Sequence, residues 1–177
     1  MIKRLRGIRL TVITALALAG ALSALTATSA YAASGPDEQL LNNANDYCLN
    51  GYTGSAHAEV TMTPCNVSDL HMTWVQSSSP FGSGDFTLQN QSNKDCLNGY
   101  TGSAHAEVTM TPCNTTDAHM EWYVWAEVSN GGTNWFVLQN ASNKDCLNGY
   151  TGTAHAEVTM TPCNTTDEHM QWQGQAG

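Results

Sequence analysis

One stretch of this chain recurs, and the recurrence decides what the chain can fold into. Cys-Leu-Asn-Gly-Tyr-Thr-Gly-Ser-Ala-His-Ala-Glu-Val-Thr-Met-Thr-Pro-Cys-Asn runs from Cys48 to Asn66. It returns unchanged from Cys96 to Asn114, and again from Cys146 to Asn164 with Thr153 as its one change. After each copy a short polar loop leads to His-Met-x-Trp, at His71 to Trp74, His119 to Trp122 and His169 to Trp172. The full units are residues 40–74, 88–122 and 138–172. The second and third differ only at Gln91/Ala141, Ser103/Thr153, Ala118/Glu168 and Glu121/Gln171. A period of roughly 50 residues marks a repeat architecture, whose units bury their apolar faces only against one another. Three equivalent structural units are therefore expected, and with them up to three equivalent surface sites.

Within a unit the local signals are those of β-strands. Val60 and Met62 alternate with Glu59, Thr61 and Thr63, the period-two pattern of a half-buried strand, and Pro64 closes it. Asn50-Gly51 and Thr53-Gly54 read as turns, which places Tyr52 in a glycine-flanked loop. Met72 and Trp74 are expected on one face of a strand, with His71 and Thr73 on the other. Between units, Trp74-Val75-Gln76, a Ser- and Gly-rich stretch from Ser77 to Asp85, and Phe86-Thr87-Leu88 read as a hairpin. The second linker, from Trp125 through Asn130-Gly131-Gly132 to Trp135-Phe136-Val137-Leu138, is the same hairpin made slightly longer. No helix is expected beyond the N-terminal segment. About four short strands per unit suit either a propeller or a closed threefold barrel capped by hairpins. Three blades are too few to close a propeller, and the capped barrel leaves no exposed sheet edge.

The N-terminal segment stands apart. Lys3, Arg4, Arg6 and Arg9 precede an apolar run from Leu10 to about Leu25, and Ala30-Tyr31-Ala32 supplies a small-x-small cleavage site. This is the pattern of a secretory signal peptide over residues 1–32. The run is interrupted by Thr11, Thr14, Gly20 and Ser23 and is short for a membrane anchor. One domain over residues 33–177, extracellular and monomeric, is expected to follow. It would keep two lysines, Lys94 and Lys144, against 15 acidic residues. Such a balance cannot neutralise phosphates, which argues against nucleic acid and anionic membrane as partners. All six cysteines lie in this part, two per unit at equal spacing. Identical units should make identical bonds, so the expected disulfides are Cys48–Cys65, Cys96–Cys113 and Cys146–Cys163. The spacing lacks the close cysteine pairs of a zinc site, and export favours oxidation.

Cys-Leu-Asn, then Val-Thr-Met-Thr-Pro-Cys-Asn, then His-Met-x-Trp resembles the ricin B-type lectin repeat. That family has Cys-Leu-Asp, a strand ending in an aromatic just before the second cysteine, and Gln-x-Trp. The likeness is greatest to the three-unit modules of secreted actinobacterial proteins, and it runs from about Leu40 to Trp172. It implies an all-β fold, a β-trefoil of three internal repeats with one disulfide each, and a non-catalytic carbohydrate-binding role. On the family pattern the sugar-binding Asp falls on Asn50, Asn98 and Asn148. The aromatic platform falls on Thr63, Thr111 and Thr161, and the polar ligand-holding residue on His71, His119 and His169. The Gln of Gln-x-Trp falls on Met72, Met120 and Met170. Every unit thus rewrites the family site. Tyr52, Tyr100 and Tyr150 offer a replacement platform, since an aromatic face suits sugar C–H groups. The expected carbohydrate site is Asn50, Tyr52, Thr63 and His71, with Asn98, Tyr100, Thr111, His119 and Asn148, Tyr150, Thr161, His169 as its equivalents. Its partner is a glycan or polysaccharide, and no cofactor or metal is implied.

The same residues admit other readings. Tyr52 can be a turn residue lying on its own hairpin, and His71 can be bonded to the Asn66–Asp69 loop. A metal-binding module would use His57 and His71 with Asp69 and Met72, since imidazole and carboxylate suit zinc or copper; yet no two histidines of a unit lie three to five residues apart. A protein-binding trefoil, such as a hydrolase inhibitor, would use the non-repeated hairpin with Trp125 and Trp135, although Trp135 alternates with Val137 and is expected in the core. An enzyme is not expected. There is no nucleophile elbow, and Gly131-Gly132 lacks the Lys and helix of a phosphate loop. Glu59, Glu107 and Glu157 occur one per unit, which makes no carboxylate pair.

Overall fold

Alternation in the sequence becomes alternation in space. In the computed structural model, which describes residues 38–53, 58–78, 84–101, 106–151 and 156–176, Val60 and Met62 are buried while Thr61 and Thr63 are half-buried. The expected leader, the Thr53-Gly54 turn beyond Thr53, and His57, His105 and His155 lie outside the described residues. Each unit folds as four strands. The first has β1 (Glu38–Asn42), β2 (Tyr47–Thr53), β3 (Ala58–Pro64) and β4 (Thr73–Ser78). The second has β5 (Phe86–Asn90), β6 (Asp95–Thr101), β7 (Ala106–Pro112) and β8 (Glu121–Asn130). The third has β9 (Thr133–Asn140), β10 (Cys146–Thr151), β11 (Ala156–Thr161) and β12 (Gln171–Ala176).

Six of these strands close a ring. β1 pairs with β4, β4 with β5, β5 with β8, β8 with β9, β9 with β12 and β12 with β1, all antiparallel. The other six form the hairpins β2–β3, β6–β7 and β10–β11. β3, β7 and β11 also pair with one another, at Glu59↔Thr109, Thr159↔Glu107 and Glu157↔Thr61, so the hairpins meet as a triangular cap. Barrel and cap together are a β-trefoil. Its core is threefold as well, with Leu49, Met62 and Trp74 recurring as Leu97, Met110, Trp122 and Leu147, Met160, Trp172. The three indoles are fully buried, and each Nε1–H donates to a carbonyl of its own unit's first cap strand: Leu49, Leu97 and Leu147, at 3.0, 3.1 and 3.0 Å. One disulfide closes each unit, Cys48–Cys65, Cys96–Cys113 and Cys146–Cys163, with Cα atoms 4.9 Å apart. A loop of that length stabilises the fold by roughly 3 kcal/mol through restriction of the unfolded chain.

Two local expectations change. Asn50-Gly51 is not a turn: both residues lie inside β2, opposite Thr61 and Val60, and Tyr52 follows them in the same strand. Gly51 is required because a Cβ there would lie 2.8 Å from Cη2 of Trp74 and 2.9 Å from Nδ2 of Asn90. His71 and Met72 are not strand residues either. Leu70–Met72 is a 3₁₀ turn capped by Asp69, whose carboxylate accepts the His71 N–H. The period of two therefore breaks there, and Met72, Thr73 and Trp74 are all buried. The long hairpin forms as expected around Gly131 and Gly132, whose φ values of 61° and 84° suit a two-residue type I′ turn. A bulge between Val124 and Ala126 drops Trp125 from the ladder and leaves it 42% exposed, while Trp135 is buried as expected.

Candidate functional site

Cys48, Asn50 and Tyr52 alternate on β2 with Leu49 and Gly51, which face the core. The disulfide anchors the start of this row. Asn50, buried, donates from Nδ2 to Oγ1 of Thr63 on β3 at 3.1 Å; Asn98 and Asn148 do the same to Thr111 and Thr161 at 3.2 Å. In the second and third units the same amide also reaches Oδ2 of Asp117 and Asp167 at 3.4 Å. The carboxylate acceptor settles the amide's orientation. Oδ1 then points elsewhere, and in all three units it is buried without a donor among the described residues. An acceptor left in this state costs about 1–3 kcal/mol, and the near-identical sequence of the units repeats it three times.

The aspartate carries the network on to the histidine. Oδ1 of Asp69 accepts both the backbone N–H of His71 and its ring Nδ1–H, each at 3.0 Å, and Asp117 and Asp167 repeat this on His119 and His169. Tyr52 lies against the imidazole with ring centroids 5.3 Å apart and planes tilted by 53°. Tyr100–His119 and Tyr150–His169 are alike, at 5.3 and 5.2 Å. The tyrosines stay more than half exposed. The sequence-derived residues of each unit therefore come together as a Thr–Asn pair and a His–Tyr pair. His71 is bonded to its own loop and also packed on the tyrosine, so the two readings of it coexist.

Each site is completed by the next unit. After β5, Asn90 donates to the His71 carbonyl at 2.7 Å, Ser92 Oγ lies 3.0 Å from His71 Nε2, and Asn93 donates to the Gly51 carbonyl at 2.7 Å. Asn140, Ser142 and Asn143 serve the second site in the same way. The third site is served by the first unit, with Asn42 donating to His169 and Asn45 to Gly149. The sequence reading does not place these residues in the site, and it names Asp69 only for the metal-binding alternative. The available signal was Asn-x-Ser-Asn at Asn90 to Asn93 and Asn140 to Asn143, which reads Asn-Asn-Ala-Asn from Asn42 to Asn45. Met72, Met120 and Met170 are buried and turn their sulfurs to the N–H of Asn66, Asn114 and Asn164 at 3.2–3.4 Å. Among the described residues no three His, Cys, Asp or Glu side chains gather where they could hold a metal ion.

Charge explains why asparagine serves here. Burial pushes the Asp117 carboxyl up, but the backbone and ring hydrogen bonds of His119, its charge and the Asn98 amide outweigh it. The net shift is downward from 3.8. Asp117 therefore contributes stability above the ordinary carboxyl range, and that contribution is lost as pH falls through its depressed value. Asn98→Asp would set a second carboxylate against Oδ2 of Asp117. A loss of about 1–3 kcal/mol at pH 7 is expected in urea unfolding. One member of the new pair has a raised pKa, so the penalty shrinks on acidification. The stability curves of variant and parent are expected to converge below about pH 4.

Barrel, cap and repeated site define the β-trefoil class. The family model of the ricin-type β-trefoil lectin domain matches residues 36–172, and the chain belongs to that family. Nothing among the curated proteins matches it. Among solved structures it is similar to the designed threefold-symmetric protein ThreeFoil, at 16% identity and TM-score 0.64, covering 79% of this chain and 98% of that one. It is similar to SeviL bound to asialo-GM1 saccharide, at 15% identity and TM-score 0.62, covering 81% and 98%. It also resembles a GlcNAcα1-4Gal-releasing endo-β-galactosidase from Clostridium perfringens, at 16% identity and TM-score 0.58, covering 80% of this chain but 32% of the enzyme. These likenesses speak for the fold.

Proposed function

We propose that this chain is an exported, non-catalytic carbohydrate-binding module with three sites, each built on Asn50, Thr63, His71 and Tyr52 or their equivalents. The observation that carries this reading is the exposed tyrosine packed on a braced histidine, three times over. The tyrosine face suits the C–H face of a sugar, and the neighbouring polar groups suit its hydroxyls. Family membership and the saccharide held by SeviL support the ligand class. Export rests on the leader pattern of residues 1–32, with three disulfides agreeing with an oxidising compartment.

The test is retention on a panel of insoluble and gel-embedded polysaccharides, together with a glycan array and tyrosine fluorescence titrations. Binding competed by one soluble sugar is expected. No retention on any glycan and no fluorescence change would refute the reading. A protein-binding role has one observation in its favour, the bulge that extrudes Trp125 on the non-repeated hairpin. If Trp125→Ala abolished capture of a protein partner while leaving glycan retention intact, that second role would stand on its own.

A further inference from the structure

The three sites share one construction but differ at the histidine. In each, the aspartate takes the Nδ1–H, so the neutral ring carries its lone pair on Nε2. In the first two sites that lone pair is engaged by a serine hydroxyl from the next unit, Ser92 on His71 and Ser142 on His119, both at 3.0 Å. The third site closes on the first unit, where the corresponding residue is Ala44. The Asn42 and Asn45 contacts of that turn are kept, so its backbone is in place and only the hydroxyl is gone. Nε2 of His169 has no partner among the described residues, and its side chain is 35% exposed, as open as its two counterparts at 33%.

We infer that His169 is the one histidine of the three that bonds ligand directly, its Nε2 accepting from a ligand hydroxyl, and that the residue at position 44 sets this difference. The kind of ligand, a polyhydroxylated sugar, rests on the function proposed above; the availability of Nε2 does not. His71 and His119 then serve as braced supports for Tyr52 and Tyr100, with both ring nitrogens already used. The third site recognises a hydroxyl that the other two cannot reach through histidine, so the three sites differ in selectivity although their principal side chains are identical. Ser92 and Ser142 are positioning residues in this scheme, and Ala44 is a specificity determinant through its missing hydroxyl.

Diethyl pyrocarbonate, which acylates an unprotonated imidazole nitrogen, reads Nε2 availability without any glycan. The six-residue surroundings of the three histidines differ, so peptide mass spectrometry resolves them. His169 is expected to react several-fold faster than His71 and His119. Ala44→Ser should slow it to their rate, and Ser92→Ala and Ser142→Ala should speed His71 and His119 to its rate. Equal rates in the parent protein, or an unchanged His169 rate in Ala44→Ser, would overturn the inference. Glycan binding gives the second readout. With Tyr52→Ala and Tyr100→Ala silencing the other sites, Ala44→Ser should weaken the retained glycan about tenfold, the effect of one lost hydrogen bond. An unchanged affinity in that background would also overturn it. If the reactivity pattern holds but no glycan binds any variant, the availability of His169 Nε2 and its control by position 44 stand, and the ligand contact fails together with the carbohydrate reading.

Discussion

Gly149→Ala is expected to destabilise the protein by about 3 kcal/mol, read as a lower urea midpoint with an unchanged slope. A Cβ at this position would lie 2.7 Å from Cη2 of Trp172 and 3.1 Å from both Nδ2 of Asn42 and Sδ of Met62. All three are buried. Trp172 is fully buried and tied by its Nε1–H to Leu147, Asn42 is fully buried and tied to His169, and Met62 sits in the core. Overpacking of this kind costs about 1–3 kcal/mol, and displacing Asn42 would leave a buried amide unpaired for about 1–3 kcal/mol more. Asn42 and Met62 belong to the first unit, so the strain falls on the seam that joins the last unit to the first. The residue is not at positive φ, so the effect is steric. Gly131→Ala is the contrast: its φ is 61°, nothing lies within 4 Å of its Cβ, and only the left-handed backbone resists, at about 1–2 kcal/mol.

That glycine shows where the fold was legible in the sequence and where it was not. The repeat count, four strands per unit, the disulfide pairing, the buried Val60, Met62 and Trp135, and the hairpin at Gly131-Gly132 all rest on local pattern or on the equivalence of units. Both survive folding because they do not depend on which surfaces later meet. At Gly51 the local pattern predicts a turn, because Asn-Gly is a strong local turn signal. The reason it is glycine lies elsewhere, in the indole of its own unit and in Asn90 and Met110 of the next, and no local pattern carries that information. The local pattern likewise predicts a strand at His71. The Asp69 cap that winds a 3₁₀ turn there is visible in the sequence, but its competition with the strand is decided by the burial of Met72.

The site was legible in part. Asn50, Tyr52, Thr63 and His71 could be picked out because they recur and because they depart from the pattern that the chain resembles. Their mutual contacts follow from period two on β2 and from the pairing of Cys48 with Thr63. What the sequence concealed is that each site straddles two units. Asn90, Ser92 and Asn93 look like polar loop residues, and only the closed ring brings them to the His71 turn of the preceding unit. Closure also means that the third site borrows the least similar copy of that turn, the one with Ala44, so sequence variation at the first unit changes the chemistry of the last.

Replacing Tyr52, Tyr100 and Tyr150 together by alanine is expected to reduce polysaccharide binding by a factor of at least about 100, with each single change giving a smaller loss. The tyrosines are 57%, 56% and 58% exposed, and they supply the exposed aromatic surface of the three candidate sites. The polar groups beneath them are largely committed to one another: Asn98 to Thr111 and Asp117, and Asp117 to His119. Without the ring a sugar would keep few contacts, and a single weak site would approach no affinity. If all three sites bind, as proposed, the effect is multiplied, because avidity for a polymer collapses as simultaneous engagement is lost. Folding should suffer little. Each ring contributes one tilted contact to an imidazole, about 0.5–1 kcal/mol, so affinity electrophoresis and urea midpoints on the same variants separate binding from stability. Parent-like retention by the folded triple variant would remove the tyrosines from the binding surface.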